Sequence, residues 1–301
     1  MNARLDTSAE LRAPRARGAR RQSARRAAWR ERIAALAWGV ASLACFVALW
    51  EAAWACGWAD PLLLPPPHLF LRNFASQAQY FIPTDVIGET SNATALRSLA
   101  MTIVATTLRV LAGLTLGFVG AVATGVAIRY FRVFGRLTLP TITLLAPISP
   151  IAWLPVAIFL FGIGNGPAVF MVFISLYFVM TVSTIGQIDS VSRTHLNVAA
   201  VMGATRAQTF RYVILPAILP SLFMVLRMNL FGAWMVVLIA EATGVGSGLG
   251  QIVMLSRNTF NASLSFFTMT LIGATGFLFD YALRIVQRRV LFWVPDSGLR
   301  K

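Results

Sequence analysis

With 57% hydrophobic and only 12% charged residues, this 301-residue chain lies far from the soluble norm of roughly 25% charged and reads as a membrane protein. Its formal charge of +15 raises nucleic acid as a partner. The distribution excludes it, because ten arginines crowd into residues 1–32 and most others flank apolar runs, as cytoplasmic loops of membrane proteins do.

Residues 1–32 are rich in Arg and Ala without an apolar face and predict a disordered cytoplasmic tail. Its charge suits anionic lipid headgroups, and a transit peptide is the competing reading. Residues 33–96 read as a first transmembrane helix, 33–56, and an external segment. Glu51 falls near the outer end among Trp50, Trp54 and Trp58, an interfacial aromatic belt. Cys45 and Cys56 stand eleven residues apart, roughly 16 Å along a helix and too far to bridge; they read as buried small hydrophobes. Leu64-Pro65-Pro66-Pro67 stops a helix, and a short external helix is expected near 68–79.

The second span, about 98–128, carries Gly113, Gly117, Ala121 and Gly125 every four residues. Such a bare ridge allows close helix packing in lipid. Arg109 lies one turn earlier on that ridge and faces protein or water. The third span, about 137–161, holds Pro140, Pro147, Pro150 and Pro155, which cannot share a straight helix. Broken backbone in a membrane belongs against protein or a water-filled cavity. Phe161-Gly162-Ile163-Gly164-Asn165-Gly166 is an external turn, and a fourth span follows at about 167–188.

Residues 193–216 form a basic island between apolar runs. Helix-compatible residues break at Gly203, where a sharp turn needs backbone freedom, and resume after Thr205, a candidate helix cap. The fifth span, about 217–240, ends at Glu241 and a glycine-rich turn from Gly244 to Gly250. Residues 242–263 are external and the sixth span, about 264–286, runs into Arg284, Arg288 and Arg289. Six spans with both termini cytoplasmic place every arginine-rich loop on one side. The chain divides into the tail 1–32, the segment 33–96, a core 97–290 and a cytoplasmic tail 291–301.

No G-x-x-x-x-G-K-[ST] loop occurs and the only lysine is Lys301, so the chain does not itself hydrolyse ATP. His68 and His195 stand alone, leaving no metal cluster. An enzyme is not expected, and neither a cofactor nor a metal. Intramembrane charge is costly and marks function or a specific partner; Arg109, Arg227 and Glu241 are the candidates. Arg227, Trp234 and Glu241 recur every seven residues and share a helix face. That face either lines a translocation path together with Arg109, or each charge satisfies a neighbouring helix.

Residues 193–216 resemble the cytoplasmic coupling loop of ABC-importer permeases, E-A-A-x-x-x-G-x9-I-x-L-P. Ala199 stands at the second Ala, Gly203 at the Gly, Val213 at the Ile, and Leu215-Pro216 at the end; Asn197 and Val198 replace Glu and the first Ala. Ser98 to Gly120, Pro150 to Pro155, Phe161 to Gly164, Leu226-Arg227, Ala240-Glu241 and Gly248-Leu249-Gly250 are similar to further features of the nitrate/sulfonate/taurine branch. The resemblance covers about residues 60–293. It implies an all-α membrane protein of six transmembrane helices with the type I ABC-importer permease fold, the first helix being a peripheral addition. It implies that Asn197, Ala199, Ala200, Gly203, Thr205, Phe210 and Pro216 couple to separate ABC ATPase subunits, which bind the ATP. A second permease copy, an external solute-binding protein and the bilayer of a bacterial inner membrane complete the expected partners. The expected cargo is a small organic anion, sulfonate-, taurine- or nitrate-like. The competing readings are a vitamin or thiamine-precursor permease and an ATP-independent secondary transporter, for which no internal repeat is found.

Overall fold

The computed structural model describes residues 29–30, 33–34, 37–58, 60, 62–72, 74–81 and 92–294. The expected tail 1–32 therefore lies outside the described residues except for Trp29 and Arg30, and the tail 291–301 except for residues 291–294. Two compact units divide the chain, residues 1–69 and 70–301.

In the first unit, α1 (Ala37–Ala55) is a 19-residue apolar helix, none of it buried within the chain. Cys45 and Cys56 are free and exposed. They are not the buried hydrophobes the sequence suggested, because nothing among the described residues of the first unit covers them. Glu51 accepts from the backbone N–H of His68 at 3.1 Å, and its carboxylate lies 2.9 Å from His68 Nδ1. The Trp54 ring meets His68 edge-on with centroids 5.2 Å apart. These contacts fix the start of α2 (Pro67–Arg72), whose first residue is a proline, tolerated there because the first helical N–H has no partner to lose.

The second unit holds α3 (Phe74–Ala78), α4 (Asn92–Tyr130), α5 (Arg132–Leu145), a 3₁₀ turn (Pro150–Trp153), α6 (Leu154–Phe161) and α7 (Asn165–Asp189). After these come α8 (Arg193–Val201), α9 (Arg206–Thr209), α10 (Leu215–Ala240), α11 (Leu249–Asn258) and α12 (Ala262–Val290). No strand occurs among the described residues. Five helical stretches are long and apolar enough to cross a membrane: α1, Thr94–Tyr130, α7, Arg206–Val245 and α12. The pair Arg132–Leu145 and Pro150–Phe161, bent by 103°, is long and apolar enough together to make a sixth, as a broken span or a re-entrant loop. The bend falls where Pro147 and Pro150 remove backbone donors, and it packs Ile142 and Trp153 against Ile174 and Phe178 of α7. Helix α11 has no signal in the sequence, since it starts within the glycine-rich turn.

The core is centred on α7, where Met171, Leu176 and Met180 are fully buried. The small ridge of α4 lies against it. A Cβ at Gly113 would stand 2.5 Å from Val172 Cβ, and one at Gly125 would stand 2.8 Å from Thr184 Cβ. Removing side chains lets the two backbones approach closely, which gives the packing that drives helix association where water cannot.

Candidate functional site

Three polar arrangements stand out in the second unit, and the first is the stretch 193–216. Ser192 caps α8, its hydroxyl accepting from the backbone of Thr194. The helix ends at Gly203, whose φ of +72° closes the turn with an N–H bond from Ala204 to Ala199 at 3.0 Å. Left-handed backbone of this kind favours glycine. Thr205 then caps α9 in a reciprocal capping box with Gln208. Phe210–Ile214 form a π turn leading into α10, with Pro216 in its first turn. Ala199 is buried, while Asn197 and Ala200 are exposed. Phe210 meets Tyr130, the last residue of α4, edge-on at 5.6 Å. Val201 and Met202, 89% and 80% exposed, form an uncovered apolar tip at the turn.

The second arrangement is a buried ion pair. Arg109 on α4 and Glu241 at the end of α10 meet at 2.6 Å, their side chains 7% and 0% exposed. Burying two charges costs several kcal/mol each unless their remaining lone pairs and protons are engaged. Here they are. Glu241 also accepts from Thr106 Oγ1 at 2.8 Å and from the Gly250 N–H at 3.0 Å. Arg109 also donates to Asn165 Oδ1 at 2.8 Å, Ser247 O at 3.1 Å and Ser247 Oγ at 2.8 Å. The glycine-rich turn folds over this pair. A second π turn, Glu241–Val245, precedes Gly248, where any Cβ would overlap the Glu241 carboxylate.

The third arrangement lies midway along α10 (Leu215–Ala240). Arg227 Nε donates to Asp280 Oδ1 of α12 at 2.7 Å, and Arg284 Nη2 reaches Asp280 Oδ2 at 2.7 Å. Asp280 is 5% exposed, while the Arg227 and Arg284 side chains are 36% and 49% exposed. Both arginines open onto a cavity of about 430 Å³. Trp234 packs toward α12, with its ring centroid 6.1 Å from that of Phe279, and its buried Nε1 has no acceptor among the described residues.

Of the four residues assigned to a path, Arg109 and Glu241 thus come together, while Arg227 and Trp234 face α12. The heptad that puts Arg227, Trp234 and Glu241 on one face of α10 meets α12 at one end and α4 at the other, because the helices cross. Asp280 went unnoticed in the sequence. Its signal was being the single acidic residue of the sixth span, one turn before Arg284.

The family described as "Binding-protein-dependent transport system inner membrane component" matches residues 113–292. A chain of Brucella melitensis named as a probable ABC transporter permease protein is 32% identical over 185 residues, 62% of this chain and 75% of that one. The taurine transport system permease protein of Escherichia coli is 28% identical over 256 residues, 84% and 88% of the two chains. The nitrate import permease protein of Leptolyngbya laminosa is 26% identical over 189 residues, 63% and 67% of the two. A solved chain of the inward-facing MetNI methionine ABC transporter superposes with a TM-score of 0.55 at 20% identity, covering 64% of this chain and 95% of that one. This last likeness shows the fold, that of type I ABC-importer permeases.

Proposed function

Since the chain belongs to the binding-protein-dependent transport system inner membrane components, in their nitrate/sulfonate/taurine branch, we propose that this multi-pass inner-membrane permease subunit carries a small organic anion along a path beside α10. The observation that supports the cargo is Arg227. Its guanidinium stays charged at any accessible pH, shares Asp280 with Arg284 and opens onto a cavity rather than closing inside the core. In this reading Arg109 and Glu241 hold the far end of the path in place, and Trp234 forms part of its wall.

The remaining parts of the reading follow from the family. Two copies of the chain enclose the path, and a solute-binding protein delivers cargo on the external side. Both termini are cytoplasmic. ABC ATPase subunits dock onto Asn197, Ala199, Ala200, Gly203, Thr205, Phe210 and Pro216; they bind the ATP, and this chain holds no cofactor and performs no catalysis. Motion of the docked stretch reaches α4 through the Phe210–Tyr130 contact and α10 through the π turn, switching the path by rigid-body rearrangement.

Proteoliposomes containing the chain, its ATPase and its binding protein test this. ATP-dependent uptake of a labelled alkanesulfonate is expected, and Arg227→Gln should lower uptake while the ATPase still co-purifies. Uptake driven by an ion gradient without any ATPase would overturn the reading.

A further inference from the structure

We propose that the cavity between α10 and the end of α12 is a binding site for an organic oxyanion, a sulfonate or phosphate head bearing a short apolar tail. It deepens the transport function and rests on that reading for the source of the ligand, though not for the site. Three guanidiniums, Arg227, Arg284 and Arg288, line the cavity, and the one carboxylate among them is Asp280. Two positive charges are therefore in excess around this half-open cavity at the end of α12, and a cleft lined by one sign of charge draws the opposite sign to it.

The donors are already aimed. Asp280, Arg284 and Arg288 recur every four residues along one face of α12, and Arg227 opposes them from α10. Asp280 holds Arg227 by its Nε and Nη2 at 2.7 and 3.4 Å and holds Arg284 by its Nε at 2.8 Å and its Nη2 at 2.7 Å. The Nη1 groups of both arginines, and all of Arg288, are left without a protein acceptor among the described residues. Asp280 thus orients two forks without consuming them. A fork of this kind pairs two-pronged with sulfonate, phosphate or carboxylate oxygens. Ser221 and Gln287 add neutral hydrogen-bonding groups to the lining.

The opposite wall decides against a bare inorganic ion. Pro220, Met224, Met228 and Phe231 form it, with the last three 56%, 74% and 56% exposed. Methionine and phenylalanine side chains accept varied short hydrocarbon tails. A cavity of about 430 Å³ falls within the usual size for small organic ligands and would be left largely empty by sulfate. Two sources offer this chemistry, a free organic anion and an anionic phospholipid headgroup.

The purified full chain in nanodiscs of phosphatidylcholine, titrated calorimetrically with 1-pentanesulfonate, tests the site. Saturable binding is expected, at least about tenfold tighter than for pentylammonium or inorganic sulfate. Arg288→Gln should weaken it about tenfold, or about 1.4 kcal/mol. That residue is exposed and outside the Asp280 contacts, so the variant leaves the fold intact. Added phosphatidylglycerol that displaces pentanesulfonate assigns the site to a lipid headgroup, and undiminished binding assigns it to the free anion; both support it. Absent binding, or binding unaltered by Arg288→Gln, overturns it. Import of a neutral solute with pentanesulfonate binding intact would remove the proposed cargo and leave the site. Sulfonate import with no binding at the cavity would do the reverse.

Discussion

Consider Glu241→Gln. The substitution keeps the volume of a side chain that is fully buried and removes the charge opposite Arg109. The amide can still accept from Thr106 or from the Gly250 N–H, but its NH₂ now faces a donor. Arg109 keeps Asn165 and Ser247 as neutral partners only. Breaking a buried pair from one side costs about 3–5 kcal/mol, because it strands a charge, whereas replacing both members with apolar residues is often close to neutral. Glu241→Gln and Arg109→Met should therefore each lower stability by roughly 3–5 kcal/mol, while the double variant Arg109→Met/Glu241→Leu recovers most of that loss. Unfolding in mixed micelles, followed by tryptophan fluorescence, is the assay; thiol-reactive dyes are unsuitable because Cys45 and Cys56 are exposed. The exposed pair Arg129–Asp189, at 2.6 Å with side chains 56% and 50% exposed, is the control, and Asp189→Asn there should change stability by less than about 1 kcal/mol. If the double variant loses the sum of the two single losses, Arg109 and Glu241 do not act as a pair and the reasoning fails.

Two further outcomes are expected. Gly203→Val forces a β-branched side chain into a backbone with φ of +72°, so the turn between α8 and α9 should distort and ATP hydrolysis should proceed without uptake; coupled transport at the parental rate would show residues 193–216 to be a plain loop. Gly125→Val places a Cβ 2.8 Å from Thr184 Cβ, with branches beyond it, and should push α4 from α7, seen as a loss of folded monomer by size exclusion; an unchanged yield would mean that the two helices need no close approach.

Some of this architecture is legible in the chain because it is written locally. The Gly113, Gly117, Ala121, Gly125 ridge repeats with the helix and needs only a partner, which α7 supplies. The prolines of the third span forbid a straight crossing before any neighbour is known. Gly203 and Thr205 announce a turn and a cap through their own backbone preferences. The ion pairs are different. Arg109 and Glu241 are 132 residues apart and Arg227 and Asp280 are 53 apart, and no periodicity says which helices will be neighbours at which depth. A buried charge announces that it needs a partner without naming one. Asp280 is harder still, since it is a lone carboxylate closely followed by Arg284, Arg288 and Arg289 and carries no pattern of its own.

The two π turns that bracket α10 have one more consequence. Each spends five residues where an α-helix would spend about four; the first closes with a bond from the Leu215 N–H to Phe210 O, and the second begins at Glu241. A π turn is how a helix absorbs a one-residue insertion without breaking, and the extra residue resets the angular phase of whatever follows by about 100°. The 26 residues of α10 are thus phased separately from the stretch 193–214 before them and from the glycine-rich turn after them. Side chains along the shaft can therefore be exchanged while the turn that grips Glu241 and the turns before Leu215 keep their own bearings.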